Sequence, residues 1–134
     1  MSVRAIPLLV LAFVLYNAIV LTLGLEALTK EIFHLRLLSG GEWVFTWGDF
    51  NLLATLILLF IEIVKSTFTT TSTLIDHALS MVVFVAVGVE FLTVPQAATS
   101  IFFLILIATM IDVIGGYTIG IRVARRDLNI GADQ

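Results

Sequence analysis

Four apolar stretches, separated by short polar breaks, set the pattern of this chain. A membrane crossing needs about 20 mostly apolar residues at ~1.5 Å each. Four segments meet that need: Ile6 to Leu25, about Phe50 to Phe68, about Leu74 to Val94, and about Ala97 to Ile121. Pro7 falls in the expected first turn of the first helix, where a missing N–H costs nothing. Asp49 stands where an N-cap of the second helix is expected. Pro95 separates the last two segments. The hydroxyl-rich run 69–73, TTTST, predicts a tight antiparallel hairpin between the second and third helices.

The long link, Glu26 to Gly48, has a different rhythm. In EALTKEIFHLRLL, Leu28, Ile32, Leu35 and Leu38 recur at helical spacing, with Glu26, Lys30, Glu31 and His34 between them. This predicts an amphipathic helix lying in the membrane interface or prolonging the first helix. Gly40 and Gly41 are expected to end it. Trp43 and Trp47 then carry the amphipathic rings suited to headgroup depth. The expected fold class is all-α: an integral membrane four-helix bundle, one domain over 1–134, with an interfacial segment at about 26–48.

Composition supports the membrane class. The chain is 60% hydrophobic and 13% charged, against about a quarter charged in ordinary soluble domains. Its mean hydropathy is +1.13. There is no cysteine, which excludes disulfides, thiolate metal sites and cysteine nucleophiles. The apolar run after Arg4 exceeds the roughly 7–15 residues of a signal-peptide core, so it is expected to stay as a membrane helix. Arg4, Lys65, Arg122, Arg125 and Arg126 fall on the side shared by the two termini, against Lys30 and Arg36 in the long link. The positive-inside rule then predicts both termini in the cytoplasm, in a cytoplasmic (inner) membrane.

Charged residues within apolar stretches are the candidate chemistry. Asp112 precedes Arg122 by ten residues, about 15 Å along a helix, which puts it near mid-bilayer. A charged Asp there costs at least ~2.5–3.5 kcal/mol, so it must face other helices, be paired or be protonated. Glu62 and Lys65 share a helical face at i, i+3. Their expected role is a boundary pair, with Lys65 reaching the headgroups; Glu62 is also a candidate for ion or proton handling alongside Asp112. Glu90, near the outer end of the third helix, is the third such candidate and is expected at the outer headgroups. Asp76 suits the start of the third helix, where the dipole favours an anion, and His77 is expected to be interfacial.

Other chemistries find little support. The two histidines, His34 and His77, fall on opposite sides of a ~30 Å core, so one chain cannot ligate a haem between them. No ligand set for a metal centre converges, and no cofactor is expected. Gly115 and Gly116 lie within a helix, not in a phosphate-binding turn. Gly116 and Gly120 instead form a GxxxG, which with Gly115, Ala86 and Gly88 predicts close helix packing, within the chain or between subunits. Arg122, Arg125 and Arg126 are expected to anchor the helix at lipid headgroups and are too few for a nucleic-acid surface.

At LLFIEIVKSTF the chain resembles the phosphate-starvation-inducible PsiE-like family of small four-helix membrane proteins. The residues that carry the likeness are Glu62, Ile63, Val64, Lys65 and Phe68. Size, four spans and a long link before the second helix agree with it. Glu90 departs from the basic residue that the family tends to carry late in its third helix. The resemblance implies a cytoplasmic-membrane protein without an established catalytic activity. Together these readings lead to the expectation of a non-enzymatic membrane component that packs with itself or with other subunits in the lipid bilayer. The alternative is an oligomer that passes ions or protons along intramembrane carboxylates.

Overall fold

A computed structural model describes residues 5–68 and 71–132. Arg4 and part of the 69–73 turn lie outside the described residues. The described chain is mostly helical, with four α-helices: α1 (Leu9–Leu23), α2 (Trp47–Lys65), α3 (Thr71–Thr93) and α4 (Ser100–Ala132). The last three are long and apolar enough to cross a membrane. With 15 residues, α1 reaches only about 22 Å. It starts later than the apolar pattern suggests, so Pro7 precedes the helix instead of sitting in its first turn. It ends at Gly24, whose φ of 87° is a left-handed conformation open to glycine. A 3-10 turn, Leu25–Thr29, follows.

The expected amphipathic helix is absent, and a β-hairpin takes its place. Strand β1 (Glu31–Arg36) pairs antiparallel with β2 (Glu42–Thr46). Helical and alternating patterns coexist in this stretch, and cross-strand pairing decides between them. Phe33 faces Phe45 and Leu35 faces Trp43 on one side, while His34 faces Val44 and Arg36 faces Glu42 on the other. The Phe33 and Phe45 rings stack at 4.9 Å, and Trp43 meets Phe33 edge-on at 5.5 Å. Such aromatic pairs stabilise a two-stranded ribbon. Gly40 and Gly41 do not cap a helix but form the turn, where Gly40 has a φ of 88° and Leu37 donates its N–H to the Gly41 carbonyl at 2.8 Å.

The hairpin runs directly into α2. Thr46 is the N-cap, and Asp49 sits at the third helical position instead of capping the helix itself. The Thr46 hydroxyl accepts from the Asp49 N–H at 3.2 Å, and the Asp49 carboxylate accepts from the Thr46 N–H at 3.0 Å. This is a reciprocal capping box. α3 begins at Thr71, three residues earlier than expected, and α4 continues to Ala132 instead of stopping near Ile121. At 33 residues α4 is about 50 Å long, so Arg122, Arg125 and Arg126 lie on the helix itself.

α4 packs along both α2 and α3, and α1 packs mainly on α2. The apolar core gathers at one end of the bundle around Tyr16, Phe102, Val87 and Ile105. Tyr16 and Phe102 meet edge-on at 4.9 Å. The buried Tyr16 hydroxyl donates to the Gln96 carbonyl at 2.7 Å and lies 2.8 Å from the Thr99 hydroxyl. Gly48 allows the closest approach at this end. A Cβ there would lie 2.4 Å from Ile101 Cδ1 and 2.9 Å from the Leu28 carbonyl oxygen. Gly48→Ala should therefore destabilise the detergent-solubilised protein by about 1–3 kcal/mol through overpacking. Gly115→Ala meets nothing within 4 Å and should gain up to ~1 kcal/mol of helix propensity. Thermal unfolding of the two variants side by side checks the contrast.

Candidate functional site

The opposite end of the bundle is polar inside. Glu62 of α2 and Thr73, Asp76 and Ser80 of α3 are buried there, while the buried Gly48 of α2 and Val87 of α3 belong to the apolar end and the buried Asn51 and Thr55 of α2 lie between. α4 adds Thr109 and Asp112. Spacings of three, four or seven residues along each helix gather these groups on inward faces. Exposed leucine, isoleucine, valine and phenylalanine cover the outward faces.

Lys65 is the hub. Its ammonium donates to Glu62 Oε1 at 2.8 Å, to Asp76 Oδ1 at 3.1 Å and to the Ile6 carbonyl at 2.9 Å. Those three bonds use its three donors. Glu62 Oε1 also accepts the Leu8 N–H at 2.8 Å, so a carboxylate from α2 satisfies a free N–H at the start of α1. The expected i, i+3 pair is present, and Lys65, 16% exposed, turns its ammonium toward the buried carboxylates of Glu62 and Asp76. Asp76 is not a helix-start residue: it lies in the second turn of α3, is 2% exposed and serves as Lys65's second partner.

Asp112 faces the interior and is 3% exposed. Ser80 lies beside it, and Glu62, Lys65 and His77 are near enough to act on it electrostatically. The structure thus brings Glu62 and Asp112 to one site. Glu90 belongs elsewhere: half-buried instead of at the surface, it accepts from Asn17 Nδ2 at 3.2 Å, an α1–α3 contact that sequence reading missed.

The GxxxG glycines have a partner within the chain. A Cβ at Gly116 would lie 3.0 Å from the His77 ring, and one at Gly120 would lie 3.5 Å from it. α4 is therefore notched where α3 lays its imidazole, and His77 is half-buried. Gly88 meets Leu106 at 3.8 Å and Gly115 has open space around it; Ala86 is exposed. Trp43 on β2 and Trp47 at the start of α2 are both exposed. Arg122, Arg125 and Arg126 project from the exposed last turns of α4. His34 contacts Glu31 on the hairpin, far along the fold from His77.

Asn51, Ser80 and Ser66 also escaped sequence reading. Asn51 is fully buried, with Nδ2 3.5 Å from the Ala12 carbonyl. Their signal was available: Asn51 and Thr55, then Thr73, Asp76 and Ser80, recur at helical spacing as polar faces inside apolar helices. No family model, curated protein or solved structure matches the chain.

Removing Lys65's charge leaves Glu62 and Asp76 buried without their cation, a loss that costs roughly 3–5 kcal/mol in comparable pairs. Lys65→Met should lower stability by that order, and Lys65→Met combined with Glu62→Gln should recover part of it. Equilibrium unfolding of the two single variants and the double variant measures the coupling.

Proposed function

We propose that this chain is a small, non-enzymatic, multi-pass protein of the cytoplasmic membrane. It works by helix packing, as a homo-oligomer or as an accessory subunit of a larger membrane complex. The inverted distribution of side chains carries the reading. Leu56, Ile57 and Phe60 of α2, Val82, Val85 and Val89 of α3, and Ile111 and Ile114 of α4 are exposed, while Glu62, Asp76 and Asp112 are buried. Water as solvent would favour the reverse; lipid favours this arrangement, because the backbone is satisfied within helices and charges must meet inside the protein. The resemblance at Glu62–Phe68 agrees with the same setting.

In this reading α1 and the 3-10 turn after it form the fourth crossing, about 22 Å plus about 10 Å, near the ~30 Å of a hydrocarbon core. Both termini then lie in the cytoplasm, with Arg122, Arg125 and Arg126 at the inner headgroups. The hairpin lies at the outer surface, its Phe33, Leu35, Trp43 and Phe45 face toward lipid and its His34, Arg36 and Glu42 face toward water. Asp112, turned toward its own chain's Ser80, supports packing over a carboxylate-lined pore shared between subunits.

The chain has no cysteine and only two tryptophans, which makes both kinds of reporter specific. Single cysteines placed at Ser2 and Gln134 should both react with an impermeant reagent only after the cytoplasmic face is opened; labelling from opposite faces rejects the topology. Tryptophan emission in vesicles should be quenched most by lipids brominated near the headgroup, and quenching by aqueous iodide alone rejects the hairpin's placement. Native-membrane cross-linking should capture a complex larger than one chain. A chain that stays monomeric in mild detergent and captures no partner overturns the packing reading.

A further inference from the structure

Among the described residues, the charges at the polar end do not balance. Glu62, Asp76 and Asp112 bring three carboxylates, all at most 3% exposed. Lys65 brings one ammonium. Among the described residues His77 is the other titratable group near Asp112, and the stretch leading into α1 contributes the Leu8 N–H and the Ile6 carbonyl. With neutral His77 the cluster carries two excess negative charges; with His77 charged it still carries one. Low-dielectric surroundings do not leave such charges bare: the group neutralises instead, and carboxylates that share a site do not all ionise.

Independent of the charges, several buried polar atoms have no partner. Glu62 Oε2 makes no hydrogen bond, nor does His77 Nε2. Ser80, 2% exposed, sits beside Asp112 without a hydrogen bond of normal geometry to its Oγ. A carboxyl O–H is a donor that Glu62 Oε2 or Ser80 Oγ can accept. Among the described residues no three His, Asp or Glu side chains converge as a metal cage would, so a proton suits the vacancy better than a metal ion does.

We propose that Asp112, Glu62 and Ser80 form a proton-binding site that holds one exchangeable proton on a carboxyl group at neutral pH. The proton comes from water and leaves to water; one carboxylate oxygen gains an O–H bond, and no electrons are transferred. His77 is its relay. The imidazole lines a groove of about 500 Å³ between α3 and α4, together with Leu74, Met81, Val113, Ile114 and Tyr117, and is near enough to Asp112 to act on it electrostatically. Lys65, held by three acceptors, pairs with Asp76 at 3.1 Å, and the proton is assigned to the Asp112–Glu62 pair. The site rests on the membrane reading only for its low-dielectric surroundings.

Infrared difference spectroscopy of the full chain in lipid nanodiscs tests it. At neutral pH the protein should show the C=O stretch of a protonated carboxyl, shifted in heavy water. Asp112→Asn or Glu62→Gln should abolish or displace the band, with helix content checked by circular dichroism. His77→Phe should keep the band but slow its exchange into heavy water at least tenfold. A wild-type protein without a protonated-carboxyl band overturns the proposal, as does a band that both carboxyl variants leave unchanged. Unaltered exchange in His77→Phe overturns the relay. Protonation is read here without reference to topology or assembly, so this proposal and the membrane reading can fail separately.

Discussion

The three acceptors around the Lys65 ammonium tie the bundle together. The Lys65 side chain is 16% exposed, and its three donors bind groups from three parts of the chain. Glu62 holds Lys65 to its own helix, Asp76 brings in α3, and the Ile6 carbonyl brings in the entrance to α1. Glu62 then spends the same oxygen on the Leu8 N–H. The start of α1 is thereby fixed by side chains from α2 more than by any capping residue of its own.

α4 is the common partner that gives this cluster its fourth side. Its residues change in kind along the axis. Phe102 and Ile105 fill the apolar end with Tyr16, Asp112 enters the polar cluster, and Gly116 and Gly120 leave room for His77. In the proposed membrane setting lipid provides no hydrophobic drive between helices, which leaves small residues and polar contacts to hold them together. The two halves of the bundle use different means to that end: interlocking aromatic rings in one, paired charges in the other.

The apolar periodicity was legible because every helix interior needs it, whatever the neighbours. It located α2 and α3 to within a few residues, and Asp112 stood out as a buried acid from its depth alone. The hairpin was not legible in the same way. Ile32, Leu35 and Leu38 fit a helix, while Phe33, Leu35, Trp43 and Phe45 fit a ribbon, and local pattern cannot rank the two. The strand partner six to fifteen residues away decides it, because the rings of Phe33, Trp43 and Phe45 meet only when the strands pair.

The sequence by itself determined the approximate place of the four apolar helices, the apolar character of their outward faces, and the presence within them of acids that demand partners. These follow from one-dimensional quantities: run length, spacing and charge. Only the tertiary structure decided which partners those acids meet. Glu62 and Asp112 are fifty residues apart, and nothing local says that α4 brings them to one site or that Asp76 shares Lys65 with Glu62. Lys65 could as well have reached outward, since its long side chain permits either direction. The inward choice depends on where α3 and the start of α1 lie, and those positions are set by packing, not by the residues beside Lys65.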